Sequence, residues 1–171
     1  MVTSDGAALP FPASIFDGAT ADRTLQHTTD AASCIDELVR VTKTGGRIVL
    51  ADPDYSTQTL EIADQELAAG VLAFRAQRGL RNGTLAHRHA GMLATRGLTE
   101  ISVDAFTVVV RDPATYQRVW GLRTWARPAA DLGYISAHRV LEFERQFDDA
   151  VMSGAFTYTL TFFVTAGTVS R

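Results

Sequence analysis

The chain has 171 residues, enough for one domain with a buried core. Apolar residues make up 46% and charged residues 20%; with a net charge of -3 and no dense Lys/Arg cluster, this excludes nucleic acid or an anionic membrane surface as the main partner and leaves a small-molecule substrate as the expectation. The single cysteine, Cys34, excludes an internal disulfide and reads as a small buried hydrophobe, which suits a reducing cytoplasm. No stretch approaches the roughly 18 apolar residues a membrane span requires, and no basic-then-apolar start marks export, so a cytoplasmic location is expected.

Residues 1–14 are broken by Gly6, Pro10 and Pro12 and read as a strand stub at Val2-Thr3 followed by a loop. Residues 15–21 (IFDGATA) form a short, mostly apolar strand that stops at Asp22-Arg23. Asp30 is placed to cap a helix whose apolar positions Cys34, Ile35, Leu38 and Val39 recur at helical spacing, with Gly45-Gly46 as its end. Residues 47–51 (RIVLA) form a β-branched strand that stops at Asp52-Pro53-Asp54. Two strands joined by such a helix make a right-handed βαβ unit with parallel strands, and ligands of parallel sheets bind beyond the strands' carboxyl ends. Asp22, Arg23, Gln26, His27, Asp52 and Asp54 gather at that edge.

Further along, Ser56 and Thr57 are expected to cap a helix with the stripe Leu60, Ala63, Leu67, Val71 and Phe74, ending near Gly79 and Asn82-Gly83. A second helical stretch covers residues 84–96 and closes at Gly97; residues 101–110 (ISVDAFTVVV) read as a strand. Asp112-Pro113 starts a helix carrying Tyr116, Val119, Trp120 and Leu122 that fades by Pro128. Ser136 opens the last helix, with Val140, Phe143, Phe147 and Val151 on one face and Ser153-Gly154 as its stop, and residues 156–166 are the final strand. The whole reads as one α/β domain of about four strands and five helices.

The segments SDGAALPFP, FDGATADRTLQHTTD and ELVRVTKTGGRIVLADPD resemble the second half of the class I S-adenosylmethionine-dependent methyltransferases, specifically over residues 4–54. The closest pattern is that of the small-molecule enzymes with GDAxxLPFxxxxFDxV, LxHxxD and RVLxPGGxLxxxxP motifs. The resemblance implies a Rossmann-like half sheet of family order 4-5-7-6 with its last strand antiparallel, and a substrate-cap insertion over residues 112–135. It implies that Asp5, Gly6, Ala7 and Leu9 surround the adenine of S-adenosylmethionine, while Asp22, Arg23 and Gln26 approach its methionine end. The family's LxH histidine is His27. The chain departs from the family in lacking the glycine-rich turn and the acidic residue that binds the ribose, so the residues present are expected to bind the cofactor poorly. The strand bounded by Ile15 and Ala21 would then leave an open edge, inviting a second copy or a complementary chain.

Each candidate also has a plainer reading. Asp5 before Gly6 suits a turn, Asp22 and Arg23 suit an ion pair, and His27 is a general base or a structural residue. Asp52, Asp54 and Tyr55 are candidates for substrate contact, or form the turn after the strand; a paired-carboxylate role would require opposed environments. His87 and His89, about 200° apart on a helix, do not suit a shared metal. Trp120, Arg123 and Trp125 either face substrate from the cap or supply core packing with a solvated arginine. The functional expectation is a small-molecule methyltransferase; the alternatives are a cofactor-independent remnant acting as partner subunit or small-molecule binding or cyclising protein, a fragment without function, and, last, a dehydrogenase.

Overall fold

The structure, a computed structural model, describes residues 4–114 and 121–170. Val2, Thr3, Tyr116, Val119 and Trp120 lie outside the described residues. Four strands, β1 (Phe16–Asp22), β2 (Thr42–Leu60), β3 (Thr99–Val110) and β4 (Tyr158–Thr168), form one sheet in the order β1-β2-β4-β3. β1 and β2 are parallel, in register from Gly18–Arg47 to Asp22–Ala51. Gly45 donates to Val169 at one end of β2 and Glu61 donates to Thr157 beyond the other, so β4 runs antiparallel to β2. This is the expected 4-5-7-6 half sheet.

The residues form two compact units. The first comprises Met1–Asp54, Thr84–Phe106 and Phe162–Arg171. Its helix α1 (Ala31–Val41) is capped by Asp30, whose carboxylate accepts from Ser33 N at 2.9 Å. Cys34 and Ile35 from α1 pack with Ala21, Leu25, Ile48, Leu50, Leu93, Leu98 and Val169. Burial raises the Cys34 thiol pKa, in keeping with a packing role. α3 (His89–Ala94) follows a 3-10 turn, Ala86–Arg88, and ends before Gly97 at φ +76°.

Two boundaries in this unit differ from expectation. α1 ends at Val41, four residues before Gly45, because Thr42 is already extended and its hydroxyl donates to Leu38 O at 2.7 Å. Gly45 and Gly46 belong to β2. Gly45 takes φ +80°, and a Cβ on Gly46 would lie 2.8 Å from Asp17 O and 2.9 Å from Lys43 O, so the glycines let the chain reverse closely against β1. Nor does β2 stop at Asp52-Pro53-Asp54; it continues to Leu60. The ladder with β1 has ended at Ala51, so Pro53 forfeits no hydrogen bond to that neighbour.

The second unit comprises Tyr55–Gly83 and Thr107–Thr161. Ser56, Thr57 and Leu60 belong to β2 rather than to a helix. The Thr57 hydroxyl accepts from Thr161 N at 3.0 Å, and Thr59 and Thr159 hydroxyls meet at 2.6 Å, so these side chains serve the sheet. The cap is Asp64, accepting from Leu67 N at 2.9 Å, and α2 spans Gln65–Phe74 before a π-turn, Arg75–Gly79. Ala114 N donates to Asp112, as a helix start there requires. The insertion does not fade at Pro128: a 3-10 turn, Leu122–Trp125, leads into α4 (Ala126–Asp131). Pro128 sits in the first turn of α4, where an N–H has no intrahelical acceptor. α5 (Val140–Met152) follows a 3-10 turn, Ala137–Arg139, and stops before Gly154 at φ +72°. No helix among the described residues is long and apolar enough to cross a membrane.

Candidate functional site

In the first unit, the loop before β1 is fastened by α1. Glu37 accepts from Leu9 N at 2.7 Å and from Arg40 at 2.6 and 2.8 Å, while Arg40 also donates to the carbonyls of Leu9 and Phe11 at 3.1 and 2.9 Å. The Arg40 guanidinium, helped by the Leu9 N–H, holds the Glu37 carboxyl down at about 2. This clamp sets Gly6 and Leu9 against Thr20, Ala21, Thr24, Leu25, Cys34 and Leu38, around an apolar recess of about 180 Å³. A Cβ on Gly6 would lie 3.2 Å from Cys34 Sγ, so a larger residue there would encroach on the recess. Asp5 is exposed, and its Oδ1 accepts from Ala7 N at 3.0 Å, an Asx turn. The structure therefore brings Gly6 and Leu9 together with the end of β1.

Past β1 the chain turns through Arg23, a non-glycine residue at φ +48° whose N–H donates to Ala51 O at 2.7 Å. Asp22 and Arg23 pair at 3.4 Å, both exposed. Gln26 is buried; its amide nitrogen reaches Arg23 O at 3.4 Å and its Oε1 has no hydrogen-bond partner among the described residues. His27, on the 3-10 turn Leu25–His27, is exposed.

Asp52 and Asp54 continue the inward face of Ile48 and Leu50, so carboxylates follow apolar side chains along one side of β2. Asp54 is fully enclosed and accepts from His87 N at 3.2 Å, with His87 Nδ1 at 2.5 Å from the same oxygen. Asp52 faces His89 instead, Oδ2 to Nε2 at 3.7 Å. Among the described residues, neither Asp52 oxygen nor either His89 nitrogen has a hydrogen-bond partner. Burial pushes the Asp52 carboxyl up to about 7, with the Asp22 charge adding to it and the Gln26 and Leu25 backbone N–H groups opposing it. Burial likewise drives His89 down to about 4, against the attraction of Asp54 and with the repulsion of His87. At 3.7 Å without a hydrogen bond, desolvation outweighs attraction, and between those values both groups are held neutral. The two aspartates thus face different histidines, Asp54 with a hydrogen bond to His87 and Asp52 without one to His89.

His87 and His89 were expected to diverge on one helix. They straddle the junction of a 3-10 turn and α3, and each meets a different aspartate. The sequence signal was the pairing of two i, i+2 sets, Asp-Pro-Asp and His-Arg-His, which becomes meaningful only once the first lies within a strand.

In the second unit, Arg123 pairs with Asp148 at 2.8 Å, both partly exposed, and Trp125 and Tyr55 are buried. Their rings flank the guanidinium of Arg75, at 4.2 and 5.3 Å respectively.

Residues 1–50 match the methyltransferase domain family. An uncharacterised 37.1 kDa protein of a Streptomyces fradiae transposon is 30% identical over 156 residues, covering 91% of this chain and 44% of its own length. The demethylmenaquinone methyltransferase of Corynebacterium efficiens is 37% identical over 62 residues, 36% of this chain and 26% of that protein. Among solved structures, a candidate methyltransferase from Bacillus halodurans aligns with a TM-score of 0.57 at 15% identity over 98% of this chain and 70% of its own. The YcgJ protein of Bacillus subtilis gives 0.57 at 18% identity over 97% and 69%. Sheet order and the parallel β1-α1-β2 unit are those of the Rossmann-like fold these structures share, and the match to the methyltransferase domain family lies over residues 1–50. This particular chain spans less than half the length of the curated relatives it matches, and its sequence holds no GxGxG turn.

Proposed function

We propose that this chain forms the substrate-side half of an S-adenosylmethionine-dependent methyltransferase acting on a small molecule. The observation that carries the reading is the clamped apolar recess of Gly6, Leu9, Ala21 and Leu25 at the carboxyl end of a parallel strand. Its lining suits the flat, largely apolar adenine, with Asp5 beside it to accept from the exocyclic amine. When bound, the cofactor supplies a methyl group on a sulfonium, open to in-line attack by a substrate O, N or C. This chain's part is to seat and orient. His27, exposed on the turn after β1, is a group in this unit open to receive the nucleophile's proton, whereas both Asp52 oxygens are enclosed.

The recess covers the adenine contacts alone, since the glycine turn and the ribose acid are missing from the sequence. The β1 edge is where such contacts would enter, and a complementary strand carrying them would satisfy the edge's backbone groups. The test is amide chemical-shift mapping with S-adenosylhomocysteine on the whole chain. Shifts confined to residues 5–9 and 20–25, and abolished by Leu9→Asp, are expected. Shifts elsewhere, or unchanged by Leu9→Asp, would overturn the reading.

A further inference from the structure

Asp54 is fully enclosed, and two donors of one residue converge on its Oδ2: the His87 backbone N–H at 3.2 Å and the His87 ring Nδ1 at 2.5 Å. Backbone and ring are tied to the same oxygen, which fixes the orientation of the imidazole. A carboxylate offers only lone pairs, so Nδ1 carries the proton and Nε2 keeps its lone pair. The buried end of this pair is Asp54; the His87 side chain is 53% exposed, and its Nε2 has no hydrogen bond to the described residues.

The other histidines are built differently. His89 is buried and lies 3.7 Å from Asp52 without a hydrogen bond, so neither of its nitrogens is open to a solute. Among the described residues, the exposed His27 and His138 pair with no carboxylate. Asp54 also lies three residues past Ala51, the last β2 position in register with β1. That is about 10 Å beyond the ladder, on the side where ligands of parallel strands bind.

We propose that His87 and Asp54 form a proton-accepting dyad, in which His87 Nε2 takes the proton of a phenolic hydroxyl and Asp54 is the positioning residue that fixes the tautomer. The proton of an O–H set against Nε2 passes to its lone pair, the bonding pair stays on the oxygen, and the imidazolium formed faces the Asp54 carboxylate. An imidazole base suits a phenol, with a pKa of about 10, better than a far less acidic aliphatic alcohol. Naming the phenol as methyl acceptor rests on the methyltransferase reading; the dyad itself does not.

The test treats the full chain, without cofactor, with diethyl pyrocarbonate and follows each histidine by peptide mass. The unprotonated nitrogen attacks one carbonyl carbon, and ethyl carbonate leaves with the electron pair of the broken C–O bond. His87 is expected to react about tenfold faster than His27 and His138, and its ring nitrogen resonances to show the Nδ1–H tautomer. Asp54→Asn should lower the His87 rate to that of His27, His87→Gln should remove the fast phase with the fold intact, and 4-nitrophenol should protect His87 alone. A parent His87 no faster than His27 and His138, an Nε2–H tautomer, or no protection by 4-nitrophenol would overturn the proposal, whether or not Asp54→Asn folds. Fast, Asp54-dependent modification in a chain that fails to bind S-adenosylhomocysteine would sink the methyltransferase reading alone.

Discussion

Asp52 and His89 place a carboxylic acid beside a neutral imidazole where the unfolded chain, near pH 5, holds a carboxylate and an imidazolium. Both arrangements carry the same number of protons. The signs follow separately. Asp52 has its pKa raised to about 7, so the native state keeps a proton that the unfolded state releases, and stability falls as pH rises from about 4 to 7. His89 has its pKa lowered to about 4, so the unfolded state takes a proton that the native state refuses, and stability falls as pH drops from about 6.5 to 4. In the parent these contributions offset between about pH 4 and 6.5. Removing either partner should expose the other. Asp52→Asn is predicted to lose stability toward acid, and His89→Gln toward neutrality, each by up to ~1.4 kcal/mol per pH unit within its window. Urea unfolding at several pH values reads these slopes; parallel curves for both variants would show that the pair is not held neutral. None of this was legible in the sequence. Helical spacing set the two histidines about 200° apart, and the strand face that presents the two aspartates to them depends on where β1 stops.

Among the elements, α1 was legible in full at its start and poorly at its end. Asp30 and the Cys34, Ile35, Leu38 periodicity mark the beginning locally, whereas the exit is set by Thr42 and by pairing with β1, which is long-range information. The same cause hid the length of β2. Pro53 reads as a stop because a proline in a strand removes a hydrogen bond, yet here the ladder with β1 has already ended and none is lost on that side. Two substitutions separate local from tertiary effects. Asp30→Ala should cost about 1 kcal/mol through the lost cap. Gly46→Ala should cost more, at least about 2 kcal/mol, because its Cβ would press on the Asp17 and Lys43 carbonyls and force β1 from β2. Chemical denaturation measures both, and equal costs would contradict the close approach at Gly46.

For the whole molecule, strand order was readable from family resemblance: βαβ patterning located β1, α1 and the start of β2, and the order β1-β2-β4-β3 follows. Periodicity alone could not have supplied it, since nothing local tells β4 to insert between β2 and β3. The candidate site was readable where motif and loop coincide, at Gly6 and Leu9. It was unreadable where it depends on the Glu37–Arg40 clamp, whose i, i+3 spacing looks like any surface ion pair. The sheet and recess together support the proposal that Gly6, Leu9 and the end of β1 seat the adenine of S-adenosylmethionine. The direct test is calorimetric titration of S-adenosylhomocysteine into the chain at a mass established by light scattering. The account predicts weak binding, with Kd about 0.1–1 mM, worth about 4–5.5 kcal/mol. Micromolar binding would mean that these residues rebuild the glycine-turn and ribose contacts themselves, and would contradict it.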